Sequence, residues 1–325
     1  MRRREFIMLV GGATLGCPFA ARAQQPPMPV VGVISPLAPE GMRPLLLVFR
    51  QGLAEAGYVE GKNVIIEYRF ANTRPELFPE AAGELVRLNA KVIFAGSPEA
   101  VDAARNATTS IPTVALDLER DPVALGYVES LAHPGGNVTG MYLDLPELSG
   151  KQLDLLRRVF PGISRIAIFG VSRLNALQFA VTETAARALA VETEIVEVRG
   201  PDDFERALEA AAAKHLEAGV LLSSPLVFGF GRQIGEIAIT KRIALISLFD
   251  AFPRAGGFMA YGPNLAELFR RCGAYVGKIL QGAKPSDLPI QRPEKFDMVI
   301  NLKTAEALGI SVPPALFATA DEVIE

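Results

Sequence analysis

The sequence has 325 residues, half of them apolar, and a formal net charge of −3 at pH 7. A chain of this length and apolar content can bury a large core and is long enough for two lobes of ordinary domain size. The excess of acidic residues argues against nucleic acid as a partner, because binding to phosphates requires clustered positive charge.

The first 25 residues, MRRREFIMLVGGATLGCPFAARAQQ, have the order of an export signal. A basic start is followed by an apolar stretch and by the Ala-Arg-Ala pattern of a cleavage site at 21–23. Arg3-Arg4 favours a twin-arginine signal, so we expect residues 1–23 to be removed on export to the bacterial periplasm. An alternative is lipid attachment at Cys17, but Thr14 stands where such sites usually have Leu.

The remaining chain loses four Arg and one Glu, which makes it more acidic, with a net charge near −6. It keeps one cysteine, Cys272, so it cannot form an intramolecular disulfide and must be stabilised by its core. Beyond the signal, no apolar run reaches the ~18 residues that a membrane-spanning helix needs.

Strands and helices alternate through the first half of this chain. Near-continuous runs rich in Val and Ile predict buried strands at 29–36, 63–70, 91–98 and 111–116. The apolar residues from Leu45 to Ala56 recur at helical spacing and predict a helix that ends at Gly57. This alternation indicates a parallel sheet with helices on both faces.

The second half repeats the same pattern. It predicts strands at 165–170, 193–199, 219–225 and 243–249, with helices over 174–189 and 204–215. Residues 77–98 match residues 203–225: each has a Phe near a helix start, an Ala/Leu face, an apolar strand and then Ser-Pro. The sequence therefore predicts two copies of one doubly wound lobe. A long helix over 265–280 follows, as in a chain that crosses a hinge more than once.

Two such lobes predict a ligand cleft between them, because ligands bind beyond the carboxyl ends of parallel strands. Small polar and aromatic residues stand at or near these strand ends and at the lobe junctions. The candidate ligand-binding residues are Ser35, Gly96, Ser97, Asp121, Tyr142, Ser172, Ser223, Ser224, Phe249, Asp250 and Tyr261.

These residue types suit a zwitterion with an apolar body. Ser, Gly and backbone N–H groups suit a carboxylate, an acid suits an ammonium, and aromatic rings suit the apolar part. Asp250, facing Ser35 and Ser97 across the cleft, is the candidate partner of the ammonium. The alternative is that the serines are only helix caps and that Phe249 and Phe252 are core residues.

The residues needed for catalysis are scarce. His133 lies in a Pro-Gly-Gly turn and His215 in an alanine-rich helix, and no metal-binding or nucleophile motif is present. GFGRQIG (229–235) looks like a dinucleotide fingerprint, but its third Gly is one place late and no acidic residue follows at the required distance, so a plain helix start is the better interpretation. We therefore expect no metal, no cofactor and no enzymatic activity.

Several long segments resemble one known family. They include GLAEAGYVEGKNVIIEYRFA (52–71), SLAHPGGNVTG (130–140), ELSGKQLDLLRRVFPGISRIAI (147–168) and the stretch from AGGFMAYGPN to NLKTAEALGI (255–310). The chain is similar over these segments to the tryptophan/tyrosine-type substrate-binding proteins of bacterial ABC transporters. One difference concerns the loop after the first strand of the second lobe. Members often have an Asn-Pro-x-Asn-Pro-like loop there, whereas this chain has the shorter GVSRLN (170–175).

The resemblance implies a type I periplasmic-binding-protein fold with a three-segment hinge. The expected lobes are 24–140 plus 262–290 and 141–261 plus 291–325, with hinge segments near 140–144, 256–261 and 289–293. The expected function is a monomeric receptor that binds an amino acid or aromatic acid and passes it to an ABC permease with a cytosolic ATPase. An exported α/β enzyme that uses Asp117, Asp121 or Asp250 is the alternative. A repressor core shares the fold but needs a DNA-binding headpiece where this chain has the export signal.

Overall fold

The structure is a computed structural model that describes residues 27–117, 120–142 and 145–325. The predicted export signal, with Arg3, Arg4 and Cys17, lies outside these residues. Within the described part of the chain, no helix combines the length and the apolar character needed to cross a membrane.

The first lobe is built on a five-stranded parallel sheet. Its strands are β1 (Val30–Ser35), β2 (Ile65–Phe70), β3 (Val92–Ala95), β4 (Thr113–Asp117) and β5 (Val138–Tyr142), in the spatial order β2-β1-β3-β4-β5. Three helices connect them: α1 (Pro39–Glu55), α2 (Phe78–Arg87) and α3 (Pro98–Ala107). The strands predicted in this half and the helix that precedes Gly57 are confirmed.

The second lobe is built on a larger sheet. Its strands are β6 (Arg165–Gly170), β7 (Glu192–Glu197), β8 (Ala218–Leu221), β9 (Ala244–Ser247), β10 (Met259–Pro263), β11 (Phe296–Asn301) and β12 (Glu322–Ile324). Their order is β12-β11-β10-β9-β8-β6-β7, and all neighbours are parallel except β10 and β11. The connecting helices are α4 (Leu145–Val159), α5 (Ser172–Ala188), α6 (Asp203–Ala213), α7 (Pro225–Thr240) and α8 (Ala251–Arg254). The predicted architecture of two doubly wound lobes is confirmed.

Helix α9 (Leu265–Leu280), which has the bounds that the sequence predicts, returns to the first lobe and packs along α1. Glycines allow the two backbones to touch, since a Cβ on Gly273 would lie only 2.0 Å from the carbonyl oxygen of Phe49. The apolar face of α9 is buried in the first-lobe core through Leu268, Phe269 and Cys272. The chain then re-enters the second lobe, where α10 (Leu302–Leu308) and α11 (Pro314–Phe317) lie between β11 and β12 in the sequence.

The chain passes between the lobes at three places. The first passage follows β5, and its residues 143–144 lie outside the described part. The second is at Asn264, just after the predicted hinge segment 256–261, because Met259–Pro263 forms a strand of the second sheet. The third lies between Gln291, whose backbone bonds to Gly140 and Tyr142, and β11. The lobe boundaries given above stay a prediction.

Asn264 ties the second passage to the third. Its side-chain oxygen caps α9 by accepting a hydrogen bond from the Glu267 N–H at 2.7 Å, and its amide nitrogen donates to Asp297 at 2.5 Å. Its own N–H donates to the Lys295 carbonyl at 3.0 Å. Asn264 therefore joins the second passage to the end of the third through its backbone and to the start of β11 through its side chain.

Candidate ligand-binding site

A cavity of about 80 Å³ lies between the two lobes, where the carboxyl ends of strands from both sheets meet. The first lobe contributes residues that follow β1 and β3, one residue of α1 and one of β4: Pro36, Leu37, Gly96, Ser97, Met42 and Leu116. The second lobe contributes residues that follow β8 and β9: Ser223, Ser224, Pro225, Phe228 and Phe249. We call this space the serine cavity, after Ser97, Ser223 and Ser224.

Five of the predicted site residues line the serine cavity, namely Gly96, Ser97, Ser223, Ser224 and Phe249. They come from both repeated halves of the sequence, so the two Ser-Pro segments do meet in one cleft. The ring of Phe249 lies 5.3 Å from that of Phe228 at an interplanar angle of 39°. Leu248 and Phe249 also belong to the same buried cluster as the first-lobe core, and apolar packing therefore continues from one lobe to the other.

The serines differ in what their hydroxyls do. Ser97 is the N-cap of α3, and its Oγ accepts a hydrogen bond from the Ala100 N–H at 3.2 Å. Ser223 and Ser224 are 8% and 4% exposed, yet neither hydroxyl makes a hydrogen bond with another residue of the described chain. Both residues line the cavity, so these hydroxyls can bond to a polar group of a ligand.

The N-termini of two helices create a positive electrostatic potential at the cavity. Both α3 and α7 begin there, each with Ser-Pro at the N-cap and first helical position. Their free N–H groups and dipoles favour an anionic group such as a carboxylate. Among the described residues that line the serine cavity, none has an ionisable side chain. The described lining of the cavity thus offers a carboxylate site and an apolar surface, but no counterion for an ammonium.

A buried asparagine fixes the position of Ser223. Asn175, fully buried near the start of α5, donates to the Ser223 carbonyl at 2.7 Å and accepts from the Val171 N–H at 2.8 Å. Gln178 adds two longer bonds to the Ser223 backbone, at 3.2 and 3.4 Å. The segment GVSRLN, where this chain differs from the family pattern, therefore supports the cavity wall through Asn175.

Asp250 lies away from the serine cavity. Its carboxylate accepts a hydrogen bond from Arg254 at 2.8 Å, and Arg254 also pairs with Glu322 on the second-lobe surface. Asp250 is the N-cap residue of α8, so the chain enters this helix directly after Phe249, which lines the cavity. Asp250 is not among the described residues that line the cavity, and a direct role in binding an ammonium stays a prediction.

Ser35 and Asp121, two further predicted site residues, have local hydrogen-bond partners. The buried Ser35 hydroxyl bonds to the backbone of Leu37 and shapes the turn that presents Pro36 to the cavity. Asp121 accepts bonds from the N–H groups of the turn that follows it, at 2.8 and 3.3 Å. Ser172 is the first residue of α5.

The two tyrosines lie near the passages between the lobes. The Tyr142 ring lies 6.0 Å from the guanidinium of Arg292. The Tyr261 ring stacks on Phe296 at 6.3 Å, and burial, followed by the nearby charges of Glu147 and Asp321, raises the pKa of its phenol. Neither is among the described residues that line the serine cavity.

Sequence reasoning missed the apolar walls, above all Met42, Leu116, Phe228 and Phe269. The repeat does not identify Phe228, because its counterpart four residues after Ser97, Val101, is a core residue that is not among the described residues lining the cavity. The others lie on apolar helix faces or strands and look like ordinary core residues. In the structure they are core residues that also border the cavity.

The sequence features with a possible catalytic meaning have structural explanations. GFGRQIG lies inside α7, where a Cβ on Gly235 would come within 2.8 Å of the Gly256 carbonyl oxygen, so this glycine allows close packing. His133 and His215 are exposed. Within the described ranges, no group of three or more His, Cys, Asp or Glu side chains is arranged to hold a metal ion.

Two doubly wound lobes around an interlobe cleft are the architecture of the type I periplasmic binding proteins, and the fold is of this class. The pattern that defines the ABC transporter substrate binding protein family matches residues 30–324. The chain belongs to this family, as its resemblance implied.

Individual relatives agree with this assignment. A tyrosine-binding protein of Clostridioides difficile strain R20291 is 25% identical over 267 residues, which cover 81% of this chain and 75% of that protein. The structure of an ABC domain from Streptococcus pneumonia in complex with L-Trp has a TM-score of 0.83 at 20% identity and covers 91% of this chain and 100% of its own. The ligand-free, open structure of an adhesive substrate binding protein from Clostridium difficile has a TM-score of 0.68 at 22% identity, with coverage of 92% and 99%.

Proposed function

We propose that this protein is the receptor of an ABC importer that binds an amino acid with an aromatic or other apolar side chain and delivers it to a membrane permease. The observation that carries the proposal is the serine cavity, in which Ser223 and Ser224, whose hydroxyls make no hydrogen bond within the described chain, border a largely apolar space between the lobes. Such a space suits a ligand with an apolar body and few polar atoms.

The polar groups of the cavity define how the ligand is oriented. Ser223, Ser224 and the N–H groups at the start of α7 are donors for a ligand carboxylate on the second-lobe side. Phe228, Phe249 and the first-lobe side chains Met42 and Leu116 offer an apolar surface for the body of the ligand. Relatives support this ligand class, since one is a tyrosine-binding protein and another was solved with L-Trp.

The size of the cavity indicates that the lobes must move. A volume of about 80 Å³ is below the 300 to 1,000 Å³ that is typical of small-molecule sites. The structure also superposes better with the L-Trp complex than with the ligand-free, open relative. We infer that the lobes lie here in a closed arrangement and that a ligand enters after they separate about the passages at Asn264 and Gln291.

The place of action follows from the same proposal. A receptor that serves a permease from outside the cytoplasm must be exported, and residues 1–23 have the pattern of a signal that would do this. We propose that the mature protein acts as a monomer in the periplasm, because each chain holds a complete cleft between its own two lobes.

A thermal-shift screen of residues 24–325 tests the function. We expect L-tryptophan, L-tyrosine, L-phenylalanine or L-leucine to stabilise the protein, since a ligand at 100 times its Kd adds about 2.7 kcal/mol, or roughly 5 °C in Tm for a chain of this size. L-Glutamate and L-lysine are matched amino acids with charged side chains and should give no shift. Stabilisation by the charged pair alone, or by no amino acid at all, would contradict the proposal.

A further inference from the structure

A second cavity, of about 90 Å³, adjoins the serine cavity and shares Pro36 and Pro225 with it as walls. Its first-lobe side includes Thr73 and Glu99, and its second-lobe side includes Arg199. We call it the Glu99–Arg199 cavity. It brings to the cleft the two charged side chains that the serine cavity lacks, one from each lobe.

Neither of these two opposite charges has a strong ionic partner within the described chain. The Glu99 carboxylate makes no hydrogen bond or ion pair with another residue of the described chain, and no ion pair joins it to Arg199. The Arg199 guanidinium lies 3.7 Å from Glu197, in a contact where the Arg199 side chain is 80% exposed, and exposed pairs of this kind are weak. A negative and a positive side chain therefore border the same cavity from opposite lobes, and no described ion pair between them fills it.

The backbone beside this cavity is held in an unusual conformation. Asn72 and Thr73 have φ values of +50° and +62°, and a β-branched residue such as Thr is rarely found there. The turn is held by a 2.7 Å hydrogen bond from the Thr73 N–H to the carbonyl of Pro36, the residue that borders both cavities. Backbone strain of this kind often lies at ligand clamps, where the surrounding structure maintains it.

We propose that Glu99 and Arg199 recognise the charged head group of the ligand: Glu99 binds the ammonium, and Arg199 attracts the carboxylate toward Ser224. This inference rests on the proposed function and adds the acid that an amino-acid receptor needs. Glu99 stands two residues after Ser97, and Arg199 lines the second cavity together with Pro225, which borders both cavities, so both charges belong to a space that adjoins the serine cavity. A zwitterion is the ligand class that satisfies both charges and bridges both lobes.

The experiment compares three indole compounds that differ only in their charged groups. L-Tryptophan has both groups, 3-(indol-3-yl)propionate lacks the ammonium, and tryptamine lacks the carboxylate. The chain contains no Trp, so indole fluorescence comes from the ligand alone and its change reports binding directly. Calorimetry on the same samples gives the Kd values.

Glu99→Gln should weaken L-tryptophan and tryptamine by about 10-fold or more, because a charged hydrogen bond is lost, and should leave indolepropionate within about threefold. Arg199→Gln should weaken L-tryptophan and indolepropionate a few-fold and spare tryptamine, since an exposed charge contributes less. Glu80→Gln is the matched control: it removes the same charge directly after a proline in the first turn of α2, at an exposed position.

The outcomes separate this inference from the function on which it rests. If wild type binds L-tryptophan and Glu99→Gln changes all three ligands equally, or leaves L-tryptophan within threefold, the head-group assignment is overturned while the receptor function stands. If wild type binds none of the three, and the screen of amino acids is also negative, both are overturned. Selective loss of the amine-bearing ligands supports the assignment.

Discussion

Ser97 and Ser224 occupy equivalent positions in the two lobes, but only Ser97 caps its helix. Their backbone conformations are almost the same, with φ and ψ of −162° and 163° for Ser97 and −160° and 163° for Ser224. The Ser97 Oγ accepts from Ala100, whereas the Ser224 hydroxyl has no hydrogen bond within the described chain. One serine therefore stabilises the fold, and its counterpart is available to a ligand.

This difference predicts opposite effects for two alanine substitutions. Ser97→Ala should lower the free energy of unfolding by about 1 kcal/mol, as the loss of an N-cap does, while Ser224→Ala should change it by less than about 0.5 kcal/mol. Ser224→Ala should instead weaken the amino-acid ligand by roughly 3- to 10-fold, which corresponds to one hydrogen bond. Urea unfolding and calorimetry on both variants measure the two effects, and equal stability losses would contradict the assignment.

Substitutions of Phe228 and Phe249 should likewise differ in their effects on ligand affinity and on stability. Phe249 is 7% exposed and belongs to the core, so Phe249→Ala should destabilise the protein by about 3 kcal/mol or more. Phe228 is only partly buried, and Phe228→Ala should cost clearly less stability. Its main effect should be on an aromatic ligand, whose affinity should fall about 10-fold because one face of the apolar wall is lost. Phe228→Leu, which keeps an apolar side chain, should fall between wild type and Phe228→Ala in a calorimetric titration.

Asn175 should affect ligand binding indirectly, because it holds Ser223, a residue of the cavity wall. Asn175→Ala removes the hydrogen-bond partner of the partly buried Val171 N–H and leaves the Ser223 carbonyl with only the longer bond from Gln178. We expect a stability loss of about 1 to 3 kcal/mol, together with weaker ligand binding because Ser223 is held less firmly. Gln178→Ala is the milder comparison, since its bonds to Ser223 are longer. Affinity that is unchanged in a folded Asn175→Ala protein would show that the position of Ser223 does not matter for binding.

The fold could be predicted largely because its signals are local. The strands are near-continuous Val and Ile runs, and α9 is bounded by the cap Asn264 and by Gly282, which has a φ of +103°. The repeat of Ser-Pro after two strands also identified Ser97, Ser223 and Ser224 as cleft residues. Each of these predictions depended on neighbours in the sequence and on the rule that parallel strands end at one edge of a sheet.

The rest of the site depends on three-dimensional packing. The strand-end rule locates a segment but not the direction of each side chain, so it could not tell that Phe249 points into the cleft and Asp250 toward Arg254. Met42 and Leu116 are core residues by every sequence criterion, because the cavity wall is continuous with the core. Glu99 looks like an ordinary acidic residue of a first helical turn, and only the pairing of two lobes places it opposite Arg199.

The contact between α1 and α9 predicts how stability depends on pH. Arg270 donates two bonds of 2.9 Å to Glu267 in the first turn of α9 and reaches Glu55 at the end of α1 at 2.7 Å. The hydrogen bonds from Arg270 lower the pKa of Glu267 below its usual value near 4.5. Because the folded pKa is lower than the unfolded one, the ionised carboxylate stabilises the fold above pH 4.5, and this contribution is lost as the pH falls through the folded pKa.

Glu267→Gln should therefore be less stable than wild type at pH 7 and should approach wild type at low pH. The difference in the free energy of unfolding should be about 0.5 to 1 kcal/mol at pH 7, since the pair is partly exposed and screened by solvent. Urea titrations of both proteins at pH 7, 5 and 3.5 measure it. Glu76→Gln, an exposed acidic residue without a described ion pair, controls for the general effect of removing one negative charge. A difference that stays constant over this pH range would mean that Glu267 stabilises α9 by packing rather than by its charge.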